Sequence, residues 1–205
     1  MTLIKKSTLK NIISDSRANS IDYNTYRDLV SNLVAHNSTT GKEKTEALIN
    51  YTLLNDRRMK RWDKTVKLPE DSKLKIKAFH KKMTWLVITE SWCGDAAHIM
   101  PVINKVADLN TNIDYKVVLR DENEALINKF LTNGGKAIPK LIIIDNITNE
   151  VINTYGPRPS VATKMVNSYK AKHGKLSPRF KEDLQRWYNK DKGQSTLADL
   201  LNFLD

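Results

Sequence analysis

After Met83 the hydrophobic pattern of this 205-residue chain stops repeating every three or four residues and starts to alternate short β-branched runs with amphipathic stretches. That change leaves few architectures open. Thr84 to Glu90 predicts a short apolar strand, Ala96 to Leu109 an amphipathic helix, Ile113 to Arg120 a second strand and Glu122 to Thr132 a second helix. Lys140 to Asp145 and Val151 to Tyr155 then predict two strands joined by a short turn. A βαβ unit followed by a helix and a hairpin is an α/β arrangement with a mixed sheet.

Before Met83 the grammar is helical. Ile21, Tyr23, Tyr26, Leu29, Val30, Leu33 and Val34 recur at steps of three and four after Asp22, which suits a helix N-cap. A second helix is expected from about Lys42 to Trp62, with Ala47, Leu48, Tyr51 and Leu54 on one side. Lys67 to Ser72, with Pro69, reads as a break, and a further helix is expected to about Lys82. At the other end, Ser160 to Leu204 predicts two or three helices, with His173-Gly174 and Lys192-Gly193 as stops.

Charge separates the same two regions. Residues 1–83 carry 18 basic against 9 acidic side chains, and residues 84–205 carry 16 against 14. The densest basic stretch, Arg57-Arg58-Met59-Lys60-Arg61-Trp62-Asp63-Lys64, has no nucleic-acid motif beside it and reads as a solvated helix face, so no nucleic acid partner is expected. No apolar run exceeds four residues, which excludes a spanning helix of about 20. Met1 to Ser7 lacks the apolar core of a signal peptide, so the expected compartment is the cytoplasm and no membrane partner is expected. A single cysteine makes no internal disulfide and supplies no multi-thiolate metal site, so no metal and no cofactor are expected.

That cysteine sits where chemistry is available. The strand Thr84–Glu90 runs into Ser91-Trp92-Cys93-Gly94-Asp95-Ala96, and a helix follows. Cys93 therefore lies at a helix N-terminus, where unpaired backbone N–H groups and the macrodipole favour a thiolate. Asp95 in the first turn repels that charge, so the expected thiol pKa is lowered only modestly. The alternative identity is a small apolar core residue, the usual fate of a free cysteine. His98, three residues after Asp95, is a candidate proton relay but reads first as a surface partner for that carboxylate, and Glu90, the other candidate acid–base group, reads first as an exposed strand-end acid.

Trp92-Cys93-Gly94, Pro101 eight residues after the cysteine, and Ile138-Pro139 just before the strand Lys140–Asp145 together resemble the thioredoxin family over roughly residues 80–170. The segments Leu119 to Asn123, Asn133 to Lys136 and Tyr155 to Pro159 look like a bacterial subgroup carrying Trp-Cys-Gly-Asp. The resemblance implies a thioredoxin-like fold, a mixed central sheet flanked by helices, with an N-terminal helical extension and C-terminal helices. It implies Cys93 as nucleophile, Gly94, Asp95 and Ala96 stabilising a thiolate, and Trp92, Ile138 and a cis-Pro139 framing the substrate.

The departures from that family matter as much. Ala96 stands where the resolving cysteine of C-x-x-C would be, so an outside thiol must finish any exchange. Val87 stands at the family's buried acid, and Asp95 replaces its proline. Monothiol glutaredoxins also lack the second cysteine, but their Cys-Gly-Phe-Ser and Thr-Val-Pro signatures are not present.

The expected organisation is a basic helical extension over 1–83, a thioredoxin-like domain over 84–175 and C-terminal helices over 176–205 packed on it. Two functions follow from the resemblance. One is monothiol thiol–disulfide exchange with a protein disulfide or a low-molecular-weight thiol. The other is a redox-inactive protein-binding module. The sequence assigns no oligomeric state.

Overall fold

A computed structural model of the protein describes residues 8–205. The reading of Met1 to Ser7 lies outside the described residues. The elements run α1 (Leu9–Ala18), α2 (Tyr23–Ala35), α3 (Glu46–Thr65), α4 (Glu70–Lys77), β1 (Met83–Thr89), α5 (Ala96–Ala107), β2 (Ile113–Leu119), α6 (Glu124–Ile127), β3 (Lys140–Asp145), β4 (Val151–Tyr155), α7 (Ser160–His173), α8 (Pro178–Asp191) and α9 (Gln194–Leu201). The sheet is mixed, in the order β2-β1-β3-β4, with β1 parallel to β2 and the other neighbours antiparallel.

Local chemistry explains most boundaries. Thr8, Asp22, Thr45 and Ser177 each accept a backbone N–H of the first turn with their side-chain oxygen, capping α1, α2, α3 and α8. Gly174, at φ 75°, closes α7, and the left-handed pair Lys192 and Gly193 separates α8 from α9. The helix expected over Glu122 to Thr132 shrinks to the single turn α6. After it the chain makes the Thr132–Gly135 bridge, which the left-handed residues Asn133 and Gly134 permit. Helix α4 ends at Lys77, short of Lys82, and α1 has no counterpart in the sequence reading.

Every residue of β1 is buried, so both its faces are covered. Helix α5 is buried at ten of its twelve positions and lies against α3, α9 and β2. It is a core helix, with apolar residues on all sides. Helices α1 and α2 pack on β2, and Ile21 adds an isolated antiparallel bridge to Val117 at that edge.

Helix α3 inverts its expected faces. Tyr51 and Leu54 are exposed, and the buried side is Thr52, Asn55, Asp56, Met59 and Trp62. Polar residues go inside because each has a built partner. Asp56 meets Arg27 at 3.0 Å and Lys60 at 2.7 Å, while Asn55 donates to the Ser91 carbonyl at 3.0 Å. The Ser91 hydroxyl lies within 2.9–3.1 Å of the hydroxyls of Thr52, Thr39 and Thr40 and accepts the Thr40 N–H at 3.0 Å. The Ser91 N–H in turn donates to the Thr40 hydroxyl at 2.8 Å. This dry knot ties the α2–α3 loop and α3 to the loop that carries Cys93.

Ser91→Ala should therefore leave the buried Thr40 N–H without its acceptor and take one partner from each of three buried threonine hydroxyls. The expected loss is about 1–3 kcal/mol of stability, read as a lower urea midpoint with unchanged slope. A variant as stable as the parent would show that the knot is not what ties these segments together.

Candidate functional site

Strand β1 ends at Thr89, and the chain turns through Glu90 to Cys93, where the Cys93 N–H donates to the Glu90 carbonyl at 3.1 Å. The turn delivers Cys93 to the mouth of α5, as the sequence predicts, but its surroundings differ. Cys93 is 7% exposed, and its Sγ–H donates to the Ile138 carbonyl at 3.3 Å. A thiolate has no proton for that bond and would face a carbonyl lone pair instead. Burial, with the Asp95 carboxylate beside it, pushes the thiol up to about 12, and the backbone N–H groups of Asp95 and Ala96 only partly oppose this. The modestly lowered pKa expected from the helix terminus is thus corrected, because desolvation of the charged form outweighs the dipole.

Asp95 is held by groups far away in sequence. Arg158 approaches its Oδ2 at 2.7 Å and the Tyr188 hydroxyl donates to its Oδ1 at 2.9 Å. Burial raises its pKa, and Arg158 and Tyr188 oppose the rise. With a guanidinium in direct contact, Asp95 is the carboxylate that repels a thiolate at Cys93.

His98 is not the surface partner of Asp95. It is 2% exposed, its ring stacks on Tyr188 with centroids 4.4 Å apart, and both ring nitrogens are engaged within the protein. Trp62 Nε1, which can only donate, lies 2.8 Å from His98 Nδ1, so Nδ1 is the acceptor and Nε2 carries the proton toward Gln185 Oε1 at 2.8 Å. Protonating Nδ1 would set two donors face to face. Burial accordingly lowers the His98 pKa to about 4. Glu90 is likewise not an exposed acid. It is fully buried, accepts the Asp121 N–H at 2.9 Å, and burial pushes its carboxyl up.

A groove of about 850 Å³ opens over Cys93, with Trp92, Gly94, Asp95 and Ile138 among its lining. Arg120 lies over the Trp92 ring at 4.9 Å. Ala96 and Pro139 are buried and do not line it. The Ile138–Pro139 peptide bond is cis, as is Gly156–Pro157. Gly156, at φ 106°, backs directly onto this step, since a Cβ there would sit 2.3 Å from the Pro139 carbonyl oxygen. The segment Tyr155 to Pro159, which carried no role in the sequence, thus seats Gly156 behind Pro139 and sends Arg158 to Asp95. Among the described residues no group of three His, Cys, Asp or Glu side chains is placed to hold a metal ion. No described helix is long and apolar enough to cross a membrane.

A family model described as thioredoxin matches residues 41–171, well over half of the chain. The chain belongs to the thioredoxin family. Two solved structures share the thioredoxin-like fold. A protein of unknown function from Pseudomonas aeruginosa aligns with a TM-score of 0.57 at 16% identity, over 73% of this chain and 82% of that one. An HIV epitope-scaffold aligns with a TM-score of 0.56 at 14% identity, over 89% of this chain and 96% of that one. No curated protein sequence matches the chain. Against the thioredoxin pattern, Val87 is fully buried in β1 and Ala96 is buried in the first turn of α5, so the positions of the family's acid and second thiol are apolar here.

The neutral His98 makes stability depend on pH in a defined sense. The unfolded chain takes up this proton near pH 6.5 and the folded chain only near 4, so stability is lost as pH falls through that window, by up to about 3 kcal/mol. Urea midpoints measured at pH 7 and pH 4.5 should fall more steeply for the parent than for His98→Gln. Equal slopes in the two proteins would refute the assignment.

Proposed function

We propose that this protein is a thioredoxin-fold binding module, in which the groove at Trp92 and Ile138 holds an occupant without redox turnover. The observation that carries this reading is the state of Cys93: a buried thiol donating to the Ile138 carbonyl, beside Asp95, with Ala96 at the place of a resolving cysteine. Exchange chemistry needs a thiolate, and every strong influence on this sulfur except the α5 amides and Arg158 disfavours one.

Monothiol exchange is the second reading, supported by the place of Cys93 in the groove lining. In that reaction the Cys93 thiolate attacks one sulfur of a disulfide, the other sulfur leaves as thiolate, and an outside thiol releases Cys93 from the mixed disulfide. The substrate would be a protein disulfide or a low-molecular-weight disulfide, and Cys93→Ser would abolish the mixed disulfide.

Alkylation by iodoacetamide as a function of pH, followed by intact mass, separates the two, because the chain has one thiol. The binding module predicts a rate at pH 8 at least about a hundredfold below that of a free thiol, and still rising above pH 10. A fast reaction with a midpoint well below about 8.5 would overturn it and make exchange the leading function.

A further inference from the structure

The groove over Cys93 has walls that do not come from the sheet and its loops. Helix α3 supplies one, through Leu48, Tyr51 and Arg58, and the chain from Leu176 into α8 supplies another. Together they deepen a thioredoxin face into an open groove of about 850 Å³, within the size range of small-molecule pockets. They also leave Cys93 7% exposed, which bars the broad surface of a folded protein from its floor.

Five basic side chains line this groove against the carboxylates of Asp95 and Glu182. Arg158, Arg120 and Lys136 each have their own carboxylate: Asp95, Asp121 and Glu124. Arg58 has none. It is half-buried, its Nη1 donates to Asn55 Oδ1 at 3.1 Å, and among the described residues no carboxylate lies within 4.0 Å of it. Its guanidinium reaches over the Cys93 loop, 3.5 Å from where a Gly94 Cβ would stand. Burial, with Arg61 nearby, pushes its pKa down, and Tyr51 and Asp95 only partly oppose this. Lys181, also on the groove, has no carboxylate partner among the described residues. A guanidinium kept partly out of water with its fork unfilled suits a planar oxyanion. Next to it, Leu48, Tyr51 and Leu176 offer apolar surface to the rest of a ligand.

We propose that the occupant of this groove is a small organic anion, a carboxylate or sulfonate with an apolar body, whose charged group pairs with Arg58 above Gly94. The inference rests on the binding-module reading and adds the chemical class of the ligand. The groove's size, within the range of small-molecule pockets, favours this class over an acidic peptide.

The test uses 8-anilinonaphthalene-1-sulfonate as the anionic probe, its uncharged analogue N-phenyl-1-naphthylamine, and a poly-glutamate peptide. All are added to the full chain, whose cooperative unfolding is checked for each variant. The anionic probe should bind, weaken as salt is raised, and slow iodoacetamide modification of Cys93 at pH 9.5. Arg58→Gln should weaken it about tenfold or more, Arg58→Lys should recover part of the loss, and neither change should affect the uncharged analogue. Lys181→Gln, an exposed substitution, gives a second reading of the charge effect if Arg58→Gln folds poorly. Equal binding of the charged and uncharged probes, unchanged by either Gln variant, would overturn the anion assignment. So would absence of binding, binding without protection of Cys93, or binding of poly-glutamate alone. These failures are separate from failure of the binding-module reading, which is decided by the alkylation midpoint of the protein with no probe present.

Discussion

Strand β1 is buried at all seven positions, and the rest of the molecule is arranged to keep it so. A central strand flanked by neighbours on both edges and covered on both faces needs helices above and below the sheet. Helix α5 meets part of that need and is itself almost wholly buried, so it must in turn be covered by α3 and α9. The consequence reaches the site directly. Cys93 lies at the joint between the most buried strand and the most buried helix, and it inherits their dryness.

That dryness decides the electrostatics. At an exposed helix terminus, backbone N–H groups and the macrodipole would favour a thiolate. Here the cost of taking a charged sulfur out of water is the larger influence, and a carboxylate tied to Arg158 and Tyr188 lies on the same turn. His98 follows the same rule with the opposite sign. Buried between Trp62 and Tyr188, it stays neutral because its only acceptor nitrogen is already used. The half-buried cations of the cleft, Arg58, Arg120 and Arg158, are guanidinium groups, which are always protonated and more weakly hydrated than ammonium groups.

The helices before β1 and after β4 do more than cover the core. Through the Ser91 knot, α3 and the loop before it are fastened to the Cys93 loop, and Tyr188 of α8 is fastened to Asp95. Both additions thus converge on one turn of chain, fixing its position and walling the groove above it. The polar inner side of α3 is the counterpart of this arrangement, since Thr52 and Asn55 are buried in order to reach Ser91.

Local pattern was enough for the strands, for α2, α5 and the C-terminal helices, and for the mixed sheet. Periodicity, caps and glycine stops act within a few residues and so are legible along the chain. The apolar character of α5 on every side was legible too, and would have marked His98 as a buried residue. The faces of α3 were not, because Thr52, Asn55 and Asp56 look like a solvent side until Ser91 and Arg27 are brought to them. Nor did the chain near Cys93 announce Arg58, Arg158 or Tyr188, which lie 35, 65 and 95 positions away. The place of the single thiol at a strand-to-helix turn is written in local sequence. Its protonation, its burial and the cations around it were settled only when distant segments closed over it, because desolvation and ion pairing depend on neighbours in space.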